Sequence, residues 1–455
     1  MLDEPLLNKN LKYHNFFKFQ VYSKFKQVFM AMSKGNHLIS KLIRLVIGFR
    51  SSDVEDEVAI KDLKKLESIC ISFNILPNGF SQDPSVTPSR WTTIRSILYF
   101  SLMTVYITHL ILLSVFDLPD EWLLVLGDFF YGHPNRRFFW LFCLNTSIFG
   151  EVLRHLWIFI VKKHYYASLQ LQHSIYSEGF KREVLFMSQF YCQKFRFVAT
   201  NLAALWVRII LCVSISLAPI FIFIVHSVSR LPKTSEQYVY IGFWLLVNYL
   251  GLVCTLVSIM LPGAVVTIQL SYFYFKASSV ARTVQDLAMK RGKLSKVEYL
   301  LEYKTTLREI IQYQNEIEKL NLRIRNWLIF LYLGISFDTN FGAYIAVFVH
   351  IDRGFMDLFI AGISIIGLVS IGACSYTNGV ILTKMISYCK NLRKATRCLQ
   401  LNPKAFIKGT DLQSRLSRTD IAFTIGSLFD MTSRVFVIYL IENICLIMMF
   451  AVNLR

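Results

Sequence analysis

The sequence predicts an all-α membrane protein of seven transmembrane helices, with a cytosolic amino terminus and an extracellular carboxyl terminus. Three observations lead there. The 455 residues are 54% apolar and 15% aromatic, with a mean hydropathy of +0.44, which a soluble globular chain rarely reaches. The apolar residues gather in seven runs, each near the roughly 20 residues needed to cross hydrocarbon. Forty of the 49 Lys and Arg residues fall in segments that alternate onto one side of those runs, six fall on the other, and three lie inside. Segments rich in Lys and Arg stay in the cytosol.

Taken in order, residues 1–95 form a basic cytosolic amino-terminal region, and 96–455 form the seven-helix domain. Met1–Asn10 carries Asp3 and Glu4 and no apolar run, so no cleaved leader is expected. Phe16–Ile47 mixes aromatic, aliphatic and Lys residues, which suits either an amphipathic helix on the inner leaflet or an ordinary terminal segment. The spans fall at 96–117, 138–161, 198–227, 238–263, 327–349, 356–383 and 433–453. Outer connections are short and inner ones long, among them a cytosolic helical loop at 276–326 and a second at 384–432.

Ser295-x-x-Glu298 has the spacing of a capping box, so a helix starts there. Leu300, Tyr303, Leu307, Ile310, Ile317, Leu320 and Ile324 then form one apolar stripe that runs on into the fifth span. The stripe needs a cover, either other inner loops of the same chain or another subunit. The sixth span is rich in Gly, Ala and Ser, which favours close helix packing.

The net charge of +19 comes with no nucleic-acid motif, and attraction to anionic inner-leaflet lipid accounts for it. The nine cysteines fall in spans or on the cytosolic side, without zinc-type spacing. No phosphate loop, HExxH pair or nucleophile elbow is present, so no catalytic residue, cofactor or metal is expected.

Ionisable residues at membrane depth are costly and therefore informative. Glu151, Arg154 and His155 share one face of the second span, Arg208 lies in the third and Asp338 in the fifth. Counted from the inner ends, Glu151, Arg208 and Asp338 share one depth. This predicts a buried polar network, Arg208 with Glu151 or Asp338, or a polar floor beneath an outward cavity. In the last span Glu442 and Asn443 fall mid-membrane. In a symmetric oligomer Glu442 forms an acidic ring that attracts cations; the alternative is a pair with Arg208 or another buried base inside one subunit.

This inverted seven-span pattern, with a long cytosolic fourth connection and almost no outer tail, resembles the insect odorant and gustatory receptor superfamily. Gly426-Ser427-Leu428-Phe429-Asp430-Met431 is similar to the Gly-x-Phe/Leu-Phe-x-aliphatic segment before that family's last helix. Gustatory members continue with Thr-Tyr, five apolar residues and Gln-Phe. At those places this chain has Glu442-Asn443, Ile444–Met448 and Met449-Phe450, so only the apolar run and Phe450 match.

The resemblance points to a divergent gustatory-receptor-like protein, from nematodes or another invertebrate. It implies a sensory (taste-type) chemoreceptor in the plasma membrane of sensory cells, acting as a ligand-gated non-selective cation channel. It implies a homo- or hetero-tetramer with related subunits, an anchor built from cytosolic helical extensions, and a pore lined by the last helix, here Glu442, Asn443 and Phe450. An outward pocket implies Phe243, Trp244, Phe341 and Tyr344 as ligand contacts; each also suits an interfacial aromatic anchor. Light or peroxide is an alternative stimulus. The competing readings are a receptor that signals through a cytosolic partner such as a G protein, and a transporter. Against a standard G-protein-coupled receptor stand the reversed topology and the missing Asp-Arg-Tyr and Asn-Pro-x-x-Tyr motifs.

Overall fold

In hydrocarbon every backbone amide needs a partner within its own segment, so long apolar runs fold as helices. A computed structural model describes residues 55–80, 90–162, 167–228, 234–290, 294–351, 354–397, 403–416, 423–425, 429–430 and 433–453. Phe16–Ile47 therefore lies outside the described residues, as does most of the Gly426–Met431 segment.

In chain order the helices are α1 (Asp56–Ser72), α2 (Arg90–Val115), α3 (Asp120–Val125), α4 (Arg136–Lys162), α5 (Ala167–Glu178), α6 (Arg182–Leu185) and α7 (Gln189–Phe223). They continue as α8 (Ser235–Met289), α9 (Lys296–Tyr344), α10 (Phe355–Arg397), α11 (Pro403–Leu416) and α12 (Ser433–Asn453). Single π-helical turns extend α7 to Val228 and α9 to Val349. The described strands are the two-residue antiparallel pair β1 (Thr424–Ile425) and β2 (Phe429–Asp430), ahead of α12. The Asn321 side chain on α9 holds it in place, accepting from the Thr424 amide at 2.9 Å.

Among the described residues five helices are long and apolar enough to cross a membrane: α2, α7, α8, α9 and α10. With 27 and 21 residues, α4 and α12 rise about 40 and 32 Å. The α4 helix carries Arg136, Arg137, Glu151, Arg154 and Lys162, which lowers its hydropathy. The described apolar stretch of α12 is Val437–Met449.

The capping box at the start of α9 forms as the spacing predicts. The Glu298 amide donates to Ser295 Oγ at 3.3 Å, and the Ser295 amide donates to Glu298 Oε2 at 3.0 Å. The helix runs on without a break to Tyr344. Its stripe finds cover within the same chain: Tyr303, Ile310 and Ile317 are fully buried, Tyr303 bonded to Thr396 of α10 and Tyr313 to the Phe273 carbonyl of α8. Nearby, Lys276 is buried on α8 and donates to Glu316 of α9 at 2.5 Å.

Small residues bring helices together at particular points. A Cβ on Gly334 of α9 would strike the Phe149 ring of α4, and one on Gly367 of α10 would come within 2.6 Å of Thr339 Oγ1. By contrast Gly362 on α10 has open space beside it, so close packing explains only part of that helix's small-residue content.

The described part of the amino-terminal region is built into this core. Ala59, Leu63, Leu66 and Cys70 of α1 pack with Phe195 and Ala199 of α7, and Arg196 pairs with Asp56 at 2.5 Å. Burial pushes the Cys70 thiol well above its ordinary range, with Glu67 adding to the shift. The thiolate is the reactive form. Cys70 is therefore expected to resist a membrane-permeant maleimide in the folded protein and to react once it is denatured. Peptide mapping by mass spectrometry reads this, and rapid labelling of native protein would show that α1 opens.

Candidate functional site

Three groups of residues carry the chemistry. The first is a cap over one end of the bundle. Between α2 and α4 the chain forms α3 and two turns at Gly127 (φ +60°) and Gly132 (φ +78°), conformations that glycine adopts without strain. The turns fold Leu123, Leu126, Phe129 and Phe130 inward against Trp140, Phe221 and Ile241.

Asp128 lies at the centre of the cap, with no exposed surface. Its carboxylate accepts from Trp140 Nε1 at 2.9 Å, from the Phe130 amide at 3.0 Å and from Arg136 Nη1 at 2.5 Å. Burial pushes this carboxyl up, and the three donors pull against that shift. The cap also holds α8 and α2: Trp244 Nε1 of α8 donates to the Val125 carbonyl at 3.0 Å, and His109 Nε2 of α2 meets the Leu126 carbonyl at 2.9 Å. The His109 and Trp244 rings stack 4.0 Å apart.

The four aromatic residues expected at a pocket separate accordingly. Trp244 is fixed by the cap, and Tyr344 is 2% exposed in the core beside Phe348. Phe243 is exposed and packs edge-on to Trp244; Phe341 is half-buried between Phe142 and Phe337. Of the four, Tyr344 alone is closed off; Phe243, Phe341 and Trp244 keep exposed surface.

The second group is the set of ionisable residues that the sequence places within the apolar runs. Arg154 donates to Glu151 at 2.7 Å through Nη2 and at 3.1 Å through Nε, and its guanidinium lies 4.4 Å from the Tyr99 ring centroid. Tyr99 completes the cluster, donating to Glu151 at 2.7 Å and sharing a 2.7 Å bond with Ser258. His155 is 62% exposed and bonds through Nδ1 to the Glu151 carbonyl at 2.8 Å.

Asp338 accepts from the Asn145 amide of α4. Arg208 pairs with neither carboxylate, and its Nη1 is buried without a partner. This corrects the pairing expected from the sequence. Arg154 sits one turn from Glu151 on the same helix, so it satisfies that carboxylate first. The common depth also fails. Counting from inner ends assumes that spans start on one plane, but α7 to α10 run 35 to 55 residues. Tyr99 joins Glu151 to Ser258 of α8, whereas Asp338 meets Asn145, six residues and about 9 Å from Glu151 along α4, so the two carboxylates stand at different levels.

The third group lies on α12. Neighbouring residues point about 100° apart on a helix, and Glu442 and Asn443 diverge accordingly. Asn443 is 5% exposed and turned toward α9. It accepts from Ser336 Oγ at 2.8 Å and from the Asn340 amide, and donates to the Tyr439 carbonyl at 2.6 Å. Glu442 is exposed beside Ile438, Ile441 and Cys445. The side chain of Phe450 lies outside the described residues. Sequence reasoning missed Asp128, His109 and Asn340, none of which stands in a motif or a periodic pattern.

No protein-family model matches the sequence, and no curated protein sequence matches it either. The fold does have a solved counterpart. An insect olfactory receptor from Machilis hrabei, solved in complex with eugenol, superposes with a TM-score of 0.58 over 87% of this chain and 98% of that one, at 8% sequence identity.

Proposed function

We propose that this chain is a gustatory-type chemoreceptor of the insect odorant and gustatory receptor superfamily, itself a subunit of a ligand-gated, non-selective cation channel. Seven helices cross the plasma membrane of a sensory cell, α4 and α12 included, with the amino terminus inside. Four such subunits, identical or related, surround one pore. Supporting the reading are the shared helical fold, which extends over most of both chains at very low identity, and the cationic bias of the long inner connections.

One observation carries the channel reading. On α12 one face is fastened to α9 through Asn443, while the adjacent face presents Glu442, a carboxylate at membrane depth with no ion pair among the described residues. Such a group needs water, a proton or a cation beside it. A water-filled axis shared by four α12 helices supplies the first and attracts the third. Asn443 then serves to hold the helix while Glu442 meets the permeating ion. Phe243, Trp244 and Phe341, which keep exposed surface, are the ligand-contact candidates in this scheme.

The test is electrical. Expressed alone in cells that lack other receptor components, the protein should give stimulus-evoked cation current that persists in excised patches. Glu442→Gln should lower single-channel conductance or calcium permeability by about two-fold or more, since a ring loses one charge per subunit. Unchanged permeation would make Glu442 structural. Responses abolished by G-protein blockade, with no current in excised patches, would favour signalling through a partner.

A further inference from the structure

A cavity of 420 Å³ opens between the inner ends of α7, α8 and α10. That volume lies within the range of small-molecule sites. Its wall carries two cations, Arg282 and Lys384, the hydroxyls of Tyr191, Ser278 and Ser387, and one carboxylate, Asp286. A third cation is close by: Lys194 lies 4.2 Å from the Phe190 ring centroid, and Arg282 lies 5.7 Å from the same ring. Neither Lys194 nor Arg282 makes an ion pair among the described residues. Lys384 is positioned over the Tyr274 ring and donates to Ser278 Oγ, which aims its ammonium at the same space.

We propose that this cavity binds a soluble, phosphorylated small molecule from the cytosol. Arg282 offers the planar fork that fits phosphate oxygens, and Lys384 adds a point charge. The hydroxyls of Tyr191 and Ser387 donate to the remaining oxygens, while Ser278 gives its own proton to the Tyr274 carbonyl at 2.7 Å and steadies Lys384. Asp286 repels bare phosphate but accepts from a ligand hydroxyl or amine, so it favours a nucleotide or sugar phosphate over an inorganic anion.

Distance excludes a lipid headgroup. Arg282 lies 47 residues beyond Ser235, the first residue of α8, which is about 70 Å along the helix. A bilayer with its headgroups is about 40–45 Å thick. The cavity is therefore more than about 20 Å beyond the inner headgroups, even with ordinary helix tilt. The proposal rests on the reading above only for which side of the membrane the cavity faces.

The experiment is a thermal-shift and calorimetric titration of the full chain in nanodiscs of neutral lipid, with ATP, pyrophosphate and sulfate at matched ionic strength. ATP should raise the unfolding midpoint saturably at millimolar concentration, with pyrophosphate weaker. Arg282→Gln should weaken the apparent Kd by about tenfold or more, the loss expected for a charge-assisted hydrogen bond. Arg282 is exposed, so that variant keeps its fold and decides the matter even if Lys384→Gln does not fold. Four results would overturn the proposal: no shift with any probe, a shift indifferent to Arg282→Gln, an equal shift with sulfate, or a shift that requires phosphoinositide in the nanodisc. Current plays no part in this readout, so failure of the channel reading would leave it intact.

Discussion

Asp128→Ala is expected to destabilise the protein by about 3–5 kcal/mol, the scale seen when one partner of a buried ion pair is removed. Three donors lose their acceptor together: the Arg136 guanidinium, the Trp140 indole and the Phe130 amide. Arg136 is 13% exposed, so water can rehydrate it only partly. The consequence spreads, because the same turns hold Trp244 and His109 through the Val125 and Leu126 carbonyls. Asp128→Asn keeps the shape and two acceptor bonds while removing the charge, and should cost about half as much. Unfolding midpoints of purified protein in detergent report both, and midpoints within a degree of the parent would mean the cap bears no stability.

Arg154→Ala is expected to cost about as much, for a different reason. The Glu151 carboxylate is 13% exposed, and Arg154 supplies three of its hydrogen bonds. Without the guanidinium, Tyr99 and His155 remain as neighbours, and neither carries a fixed positive charge. The double variant Glu151→Leu with Arg154→Leu removes both charges and should recover most of the loss. If the double variant is as unstable as the single one, packing against Tyr99 rather than the ion pair is what Arg154 provides.

Much of this architecture was legible in the chain. Apolar runs of the right length mark the long helices, and a hydroxyl three residues before a carboxylate marks the start of α9. The α9 stripe showed which face is buried but not by what, because periodicity identifies a face and never its partner. The cap was illegible for a physical reason. An aspartate between two glycine turns ordinarily faces water, and only the later residues Arg136 and Trp140 make its burial tolerable. The sequence singled out the charges within apolar runs, but not how they pair. Residue counting measures distance along a helix, whereas pairing depends on how helices of unequal length are offset. On α12 the sequence offered Glu442 and Asn443 as equals, and the 100° turn between them assigns one to the exterior and the other to α9.

The α8 helix has 55 residues and α9 has 49, so these rods are about 80 and 74 Å long. Neither is interrupted, even where Pro262 enters α8. A rod of that length acts as a lever. Tilting it by about five degrees sweeps its far tip through roughly 7 Å, more than a helical pitch, while the residues near its pivot scarcely move. Small adjustments around Trp244 at one end can thus become coarse displacements at Met289 at the other, with no loop in between to absorb the stroke.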